Sequence, residues 1–286
     1  MIKKIVIGID GSDNAFDAFR TGLNIAKRTN SIIKIVFVVD TRKTELPLIY
    51  SGGTYDMSFE RIYIPTQPNI EEYYQKFKED FTDFAQKWMD RCRKLAEKEN
   101  IVFESDIIEG FPAHVLSEEA RSGDLLVLGQ CGENAHFSRS MVGSTSEELV
   151  RSATRPVLIC PAQHRDTKTA LFAYDGSETC ERAMQFTAQT FGNIIEHVTF
   201  FIVDDGTLDK GSIEDEVKYL KDHNLHVTVK SESGNPIEKI CNTVDTENID
   251  FIIIGAHGKH KIKEYLLGST TSHIIRKSSV PVLVIH

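Results

Sequence analysis

One pattern occurs twice in the 286 residues, and that repeat restricts the fold more than any other feature. One apolar run closes in Asp10-Gly11-Ser12 and a second closes in Asp175-Gly176-Ser177. Phe37-Val38-Val39-Asp40 matches Phe201-Ile202-Val203-Asp204, and Gly110-Phe111-Pro112 matches Gly234-Asn235-Pro236. Leu125–Gly129 matches Phe251–Gly255, and Gly143-Ser144-Thr145 matches Gly268-Ser269-Thr270. Pro156-Val157-Leu158 matches Pro281-Val282-Leu283. Six blocks in one order read as two copies of one domain, residues 1–163 and 164–286. A polar, Pro-containing stretch near Pro161–Lys168 has the composition of a linker.

Within each copy, short runs rich in Val, Ile and Leu alternate with helix-like segments. Continuous apolar runs suit strands covered on both faces, and strand–helix alternation predicts a parallel sheet. Strands are expected near 4–9, 32–39, 101–108, 124–129 and 156–160, then near 169–174, 197–203, 225–231, 250–255 and 281–285. The fold class is therefore α/β, two tandem five-stranded parallel-sheet domains of Rossmann-like type. Ser12 and Ser177 are placed to cap the helices that follow them, and Pro112 and Pro236 suit a first helical turn. The copies differ in an insert at about 41–75, rich in Pro and Gly, which leads into a long helix over 70–99. Its apolar positions Phe77, Phe81, Phe84, Trp88 and Leu95 fall on one face, the spacing of core packing. Copy two replaces this with a short helix at about 212–223.

Composition excludes several classes. Against 33 Lys+Arg stand 42 Asp+Glu, a net charge of -9, which disfavours a general nucleic-acid or anionic-membrane binder. No apolar run reaches the roughly 18–20 residues of a membrane span, and the opening run to Ile9 reads as a strand rather than a leader. The cysteines Cys92, Cys131, Cys160, Cys180 and Cys241 form no C-x-x-C and no zinc spacing, which fits a reducing, cytoplasmic compartment. No histidine cluster has metal spacing, so no metal site and no catalytic constellation is expected.

The strongest chemical signal is Gly255-Ala256-His257-Gly258, then nine residues, then Gly268-Ser269. It reads as strand end, loop and helix N-terminus. Glycines admit a phosphate close to the backbone, and the first helical turn offers free N–H groups at the positive end of a dipole. Lys259, Lys261 and Lys263 lie in this loop, with His257 and His260. Copy one has Gly129-Gln130-Cys131-Gly132, then ten residues, then Gly143-Ser144, with Arg139 in place of the lysines. The signal there is weaker but of the same kind. Single Asp-Gly-Ser triplets also serve as plain turn and cap chemistry. Ser51-Gly52-Gly53-Thr54-Tyr55-Asp56 has the flavour of an ATP pyrophosphatase loop but follows the wrong strand. No Walker motif and no G-x-G-x-x-G after a strand is present.

On these residues the chain resembles a tandem universal stress protein, over nearly its whole length except the insert. The family signature G-x2-G-x9-G-(S/T) is met by Gly255, Gly258, Gly268 and Ser269 and, with one extra residue, by Gly129, Gly132, Gly143 and Ser144. The resemblance implies an adenine nucleotide alpha hydrolase-like fold with sheet order 3-2-1-4-5. It implies pairing of domains through their fifth strands, here as an intramolecular pseudo-dimer with pseudo-two-fold symmetry, and leaves a homodimer of chains open. It implies ATP or ADP as ligand, with Mg2+ arriving on the nucleotide. The phosphates would lie on those glycines with Ser269, Thr270, Ser144 and Thr145. Asp10 and Asp175 would lie by the nucleoside, and the backbone at Val38 and Ile202 by the adenine.

The function expected is a cytoplasmic ATP-binding stress protein that senses or signals and hydrolyses ATP slowly if at all. The alternatives are a nucleotide-independent interaction module with an unidentified protein partner, using the long helix, and a slow ATPase. Gln130 and Cys131 depart from the common loop pattern, so copy two is expected to bind more tightly than copy one.

Overall fold

A computed structural model describes residues 2–41, 70–132, 142–163, 167–192, 194–203, 210–258 and 267–286. Most of the insert, with Ser51–Asp56, lies outside the described residues, as do Arg139, Asp204, Asp205, Lys259, His260, Lys261 and Lys263, and the side chain of Phe77.

The first half runs β1 (Lys4–Ile9), α1 (Asp13–Thr29), β2 (Ile32–Asp40), α2 (Ile70–Lys98), β3 (Phe103–Gly110), α3 (Pro112–Ala120), β4 (Leu125–Gly129), α4 (Ser144–Ser152) and β5 (Val157–Cys160). The second runs β6 (Thr169–Tyr174), α5 (Glu178–Phe191), β7 (His197–Val203), α6 (Lys210–Asp222), β8 (His226–Glu232), α7 (Pro236–Thr246), β9 (Phe251–Gly255), α8 (Ser269–Lys277) and β10 (Val282–Ile285). Each predicted strand is present, displaced by two residues at most. All ten join one sheet, ordered β3-β2-β1-β4-β5-β10-β9-β6-β7-β8. Each half shows the order 3-2-1-4-5, parallel throughout.

The helix starts follow their residues. The Ser12 and Ser177 hydroxyls accept from Ala15 N and Cys180 N, closing the first turns of α1 and α5. Such a cap contributes about 1 kcal/mol. Gly11 and Gly176 hold φ of +88° and +70°, a region that favours glycine, which lets each strand turn sharply into its helix. Asn235 caps α7 by accepting from Ile237 N and Glu238 N, with Pro236 at the first helical position.

The halves meet where β5 pairs antiparallel with β10, Val157 opposite Val284 and Ile159 opposite Val282. Alternation along these two four-residue strands sends side chains into both cores. Leu158, Cys160, Leu283 and Ile285 enter the core under α1, α2 and α5, while Val157, Ile159, Val282 and Val284 enter the core under α3, α4, α7 and α8. Both cores therefore run unbroken across the seam. Polar contacts reinforce it: Arg28 of the first half donates to the Ile194 carbonyl of the second. His286 Nε2 lies 2.6 Å from the Val150 carbonyl of α4.

The long helix packs as its spacing predicts. Ala85, Met89, Cys92 and Ala96 are buried, and Phe81, Phe84, Trp88 and Leu95 pack against the core that holds the first three. Its 29 residues answer to 13 in α6.

Because the cores are shared, Leu283→Ala is expected to cost about 2–5 kcal/mol and to lower one cooperative unfolding transition of the whole chain. Two separated transitions in calorimetry, only one of them shifted, would contradict a continuous core. A second test concerns pH. Burial, opposed by the Val150 carbonyl and reinforced by His257, holds the His286 pKa below its ordinary 6.5. A histidine lowered in this way contributes its stability above the unfolded value and loses it as pH falls from 6.5 through the folded value. The drop in unfolding midpoint over that window is expected to be shallower in His286→Gln; an unchanged slope would rule the linkage out.

Candidate functional site

The site forms at the carboxyl ends of β1 and β4, and of β6 and β9, where the strand order changes direction. In copy one, Asp10 Oδ1 accepts from Ser12 N at 3.0 Å and from Ser12 Oγ at 2.6 Å. In copy two, Asp175 Oδ1 accepts from Ser177 N at 2.9 Å and from the Cys180 thiol at 3.1 Å. Burial and then the Asp175 charge push the Cys180 pKa up to about 12, so that thiol stays a donor. One carboxylate oxygen thus performs the turn chemistry that any Asp-Gly-Ser triplet offers. The other faces the glycine loop. A Cβ at Gly132 would lie 2.7 Å from Asp10 Oδ2, and one at Gly258 would lie 2.9 Å from Asp175 Oδ2. The second glycine of each signature is glycine because the aspartate occupies the place of a side chain.

The other two glycines have different reasons. Gly129 abuts the first turn of α1, 3.0 Å from the Asn14 side-chain amide to its missing Cβ, and Gly255 abuts Thr179 of α5 in the same way at 2.5 Å. Those two let strand and helix approach. Gly143 and Gly268 are the N-caps of α4 and α8, and neither helix start has a side-chain cap. A Cβ at Gly143 would lie 3.4 Å from Gly132 N, and one at Gly268 would lie 3.6 Å from Gly258 N. Between loop and helix start there is a cradle that one methyl group would fill. Gly143 N donates to the Gln130 carbonyl, and Gly268 N to the Ala256 carbonyl, both at 2.8 Å, which fixes its width. Ser146 Oγ and Thr271 Oγ1 each donate at 2.8 Å to the carbonyl of the first glycine, Gly129 or Gly255. Ser144 and Ser269 are exposed at the mouth, with Thr145 and Thr270 half-buried beside them.

The structure thus brings Asp10, Gly129, Gly132, Gly143, Ser144 and Thr145 to one crevice, and Asp175, Gly255, Gly258, Gly268, Ser269 and Thr270 to another. Val38 and Ile202 are not equivalent positions in the two copies. The matched tetrapeptides pair them, but the strand register sets Ile9 beside Phe37 and Tyr174 beside Ile202. Ile202 is therefore the counterpart of Phe37, and Val38 that of Val203. Val38 enters one core and Ile202 the other, because a slip of one residue along a strand reverses the face.

Phe84 and Trp88, expected from their spacing as core positions of the long helix, also cover a loop of the site. Phe84 and Trp88 of α2 lie on Gly11, with Phe84 Cε1 2.3 Å from where its Cβ would be and Trp88 Nε1 at 3.1 Å. Phe16 and Arg91 continue the stack, the Phe16 and Trp88 centroids 5.7 Å apart and the guanidinium carbon 3.7 Å over the Phe16 ring. The helical stripe of α2 is legible as apolar, but which loop it covers is not. Cys131 stands in the loop of copy one with its thiol pKa raised by burial, which works against a reactive thiolate.

Gly258→Ala is expected to cost about 1–3 kcal/mol in denaturant unfolding, because a Cβ must displace a carboxylate. Asp175→Ala should relieve most of that cost in a double-mutant cycle. Simple additivity of the two substitutions would show that the aspartate does not set the glycine.

Similarity to known proteins agrees with the geometry. The sequence model of the universal stress protein family matches residues 1–161 and, separately, 167–286. Universal stress protein Slr1230 of Synechocystis is 25% identical over 295 residues, spanning 99% of each chain. Universal stress protein MJ0531 of Methanocaldococcus jannaschii is 27% identical over 161 residues, 56% of this chain and 82% of that one. The crystal structure of a universal stress protein from Archaeoglobus fulgidus shares the fold at a TM-score of 0.73 and 20% identity, covering 99% of this chain and 97% of its own. With both halves matched in order, the chain belongs to the universal stress protein family and carries the family domain twice.

Proposed function

We propose that this chain binds adenine nucleotide, ATP or ADP, in its two crevices and acts as a cytoplasmic sensor or signalling protein of the stress response. The observation that carries this reading is the cradle between each second glycine and the uncapped start of α4 or α8. It is narrow and edged by backbone N–H groups, and a side chain at Gly143 or Gly268 would take up its space, which suits it to a phosphate chain. Gly132, Gly143, Ser144 and Thr145 would hold phosphates in copy one, and Gly258, Gly268, Ser269 and Thr270 in copy two. Asp10 and Asp175 would meet the ribose through Oδ2. The backbone at the ends of β2 and β7 would meet the base. Mg2+ would enter on the phosphate oxygens, which are hard ligands suited to it.

Turnover is a separate demand. Hydrolysis needs a base positioned on a water. Asp10 and Asp175 each commit one oxygen to a turn, so binding with slow or absent hydrolysis is the better reading.

The crevices are not electrostatic equals. The first turn of α4 carries Glu147 and is followed by Glu148, where α8 has Ser272 and His273. An acidic side chain near a helix N-terminus already uses the dipole that a phosphate would use, by about 0.3–1 kcal/mol. Lys259, Lys261 and Lys263 against Arg139 bias the loop sequences the same way. Copy two is therefore the tighter site.

The test is to denature freshly purified protein and identify released nucleotide by chromatography. Adenine nucleotide in amounts stoichiometric with the chain is expected, with a larger loss in Gly268→Val than in Gly143→Val. Both valines fill a cradle while their glycines hold φ of -56° and -59°, which valine adopts, so folding should survive. No released nucleotide, together with no binding of added Mg-ATP, would leave the loops as structural turns. Trp88, the only tryptophan, lies against Gly11, so its emission should change when copy one fills and stay unchanged when copy two alone fills.

A further inference from the structure

Three contacts cross the seam between the two candidate sites. Gln130, second residue of the glycine loop in copy one, donates through Nε2 to the Ile275 carbonyl of α8 at 2.5 Å. His286, which follows β10, places Nε2 2.6 Å from the Val150 carbonyl of α4, and its ring lies 6.2 Å from that of His257 in the glycine loop of copy two. Arg276 of α8 meets Glu147 in the first turn of α4 at 2.9 Å.

The two target carbonyls are equivalent. Val150 is the seventh residue of α4, and Ile275 is the seventh of α8. Each helix thus has the same carbonyl near its carboxyl end held from beside the glycine loop at the opposite site. The residues that do so, Gln130 and His286, are not counterparts in the repeat. The same contact has been built from different side chains on the two sides, which marks it as a property of the paired domains rather than a residue of duplication.

From this geometry we infer that Gln130 is a positioning residue acting across the seam: it lies in the loop of copy one and sets the anion-binding helix of copy two. The inference rests on the nucleotide reading above. At nine residues, α8 is a rod of about 13 Å. Gln130 grips one end, and the uncapped N–H groups that would meet phosphate are at the other. Movement of the first loop on its own ligand is passed by Gln130 to α8, and Arg276 ties α8 back to the first turn of α4. Occupancy of one crevice then changes affinity at the other, and linkage makes the effect reciprocal.

The experiment uses Gln130→Glu, which keeps the shape of the side chain and removes its donor. Copy one is silenced by Asp10→Ala, which lies on a different loop from Gln130, and Mg-ATP binding to copy two is measured by calorimetry. A loss of affinity of about fivefold or more is expected from Gln130→Glu, the low end of coupling between sites. The lost hydrogen bond should lower the thermal midpoint without nucleotide, while the protein stays folded at the temperature of the binding assay, so a loss of site-two affinity there is one that a merely structural role would not produce. Gln130→Glu should also abolish any change in site-two affinity that filling site one produces in the unsubstituted chain. Copy-two affinity within about twofold of its value with Gln130 present would overturn the inference while leaving the nucleotide reading intact. Absence of Mg-ATP binding in the unsubstituted chain would overturn both.

Discussion

The antiparallel pairing of β5 with β10 is the contact on which the rest of the molecule depends. Three residue pairs join two five-stranded sheets into one of ten. Without it, each half would expose an apolar edge strand with unpaired backbone groups, the usual start of aggregation. The same two strands hold both candidate sites. The Cys160 carbonyl, at the end of β5, accepts from Gln130 N, and the Ile285 carbonyl, at the end of β10, accepts from Ala256 N, both at 2.7 Å. Each glycine loop is suspended from the seam by its second residue. A structure that needs the pairing for stability therefore brings its two loops close to one another as a consequence.

Duplication explains the resemblance of the two crevices, and small differences explain why they are unequal. Asp10 and Asp175 stand over Gly132 and Gly258 at nearly the same distance. Around that common frame, copy one has the longer helix α2, whose Phe84 and Trp88 cover Gly11, and an acidic first turn on α4. Copy two has a short α6 and a first turn on α8 without an acid. The shared part is backbone and aspartate, where one wrong Cβ costs the arrangement. The divergent part is side chains on helices, which change without moving the frame.

Strand positions were readable because central parallel strands are apolar on both faces, so β1, β4, β6 and β9 stand out as unbroken runs. The glycine loops were readable because their requirement is for the absence of a side chain at fixed places. What could not be read has physical causes too. Val38 and Ile202 were paired through similar tetrapeptides, yet a strand has a period of two and tolerates no slip. In β2 and β7 most residues are buried, and the equivalent polar positions inside the strands, Lys34 and Thr199, differ too much in chemistry to announce the register. Gln130 looked like a departure from the signature because its partner, the Ile275 carbonyl, is 145 residues away. Contacts between backbone of one domain and side chain of the other leave no periodic trace. The cover on Gly11 was hidden for the same reason: the stripe on α2 announces burial but not its target.

Amide hydrogen exchange with and without saturating Mg-ATP tests the central claim most directly, since it locates the ligand by the N–H groups it occupies. Slowed exchange is expected at Gly258 and at Ser269–Thr271, with the same pattern at Gly132 and Ser144–Ser146 at higher nucleotide concentration. Protection confined to α2 or to the edge strands β3 and β8, with both glycine loops unchanged, would contradict it.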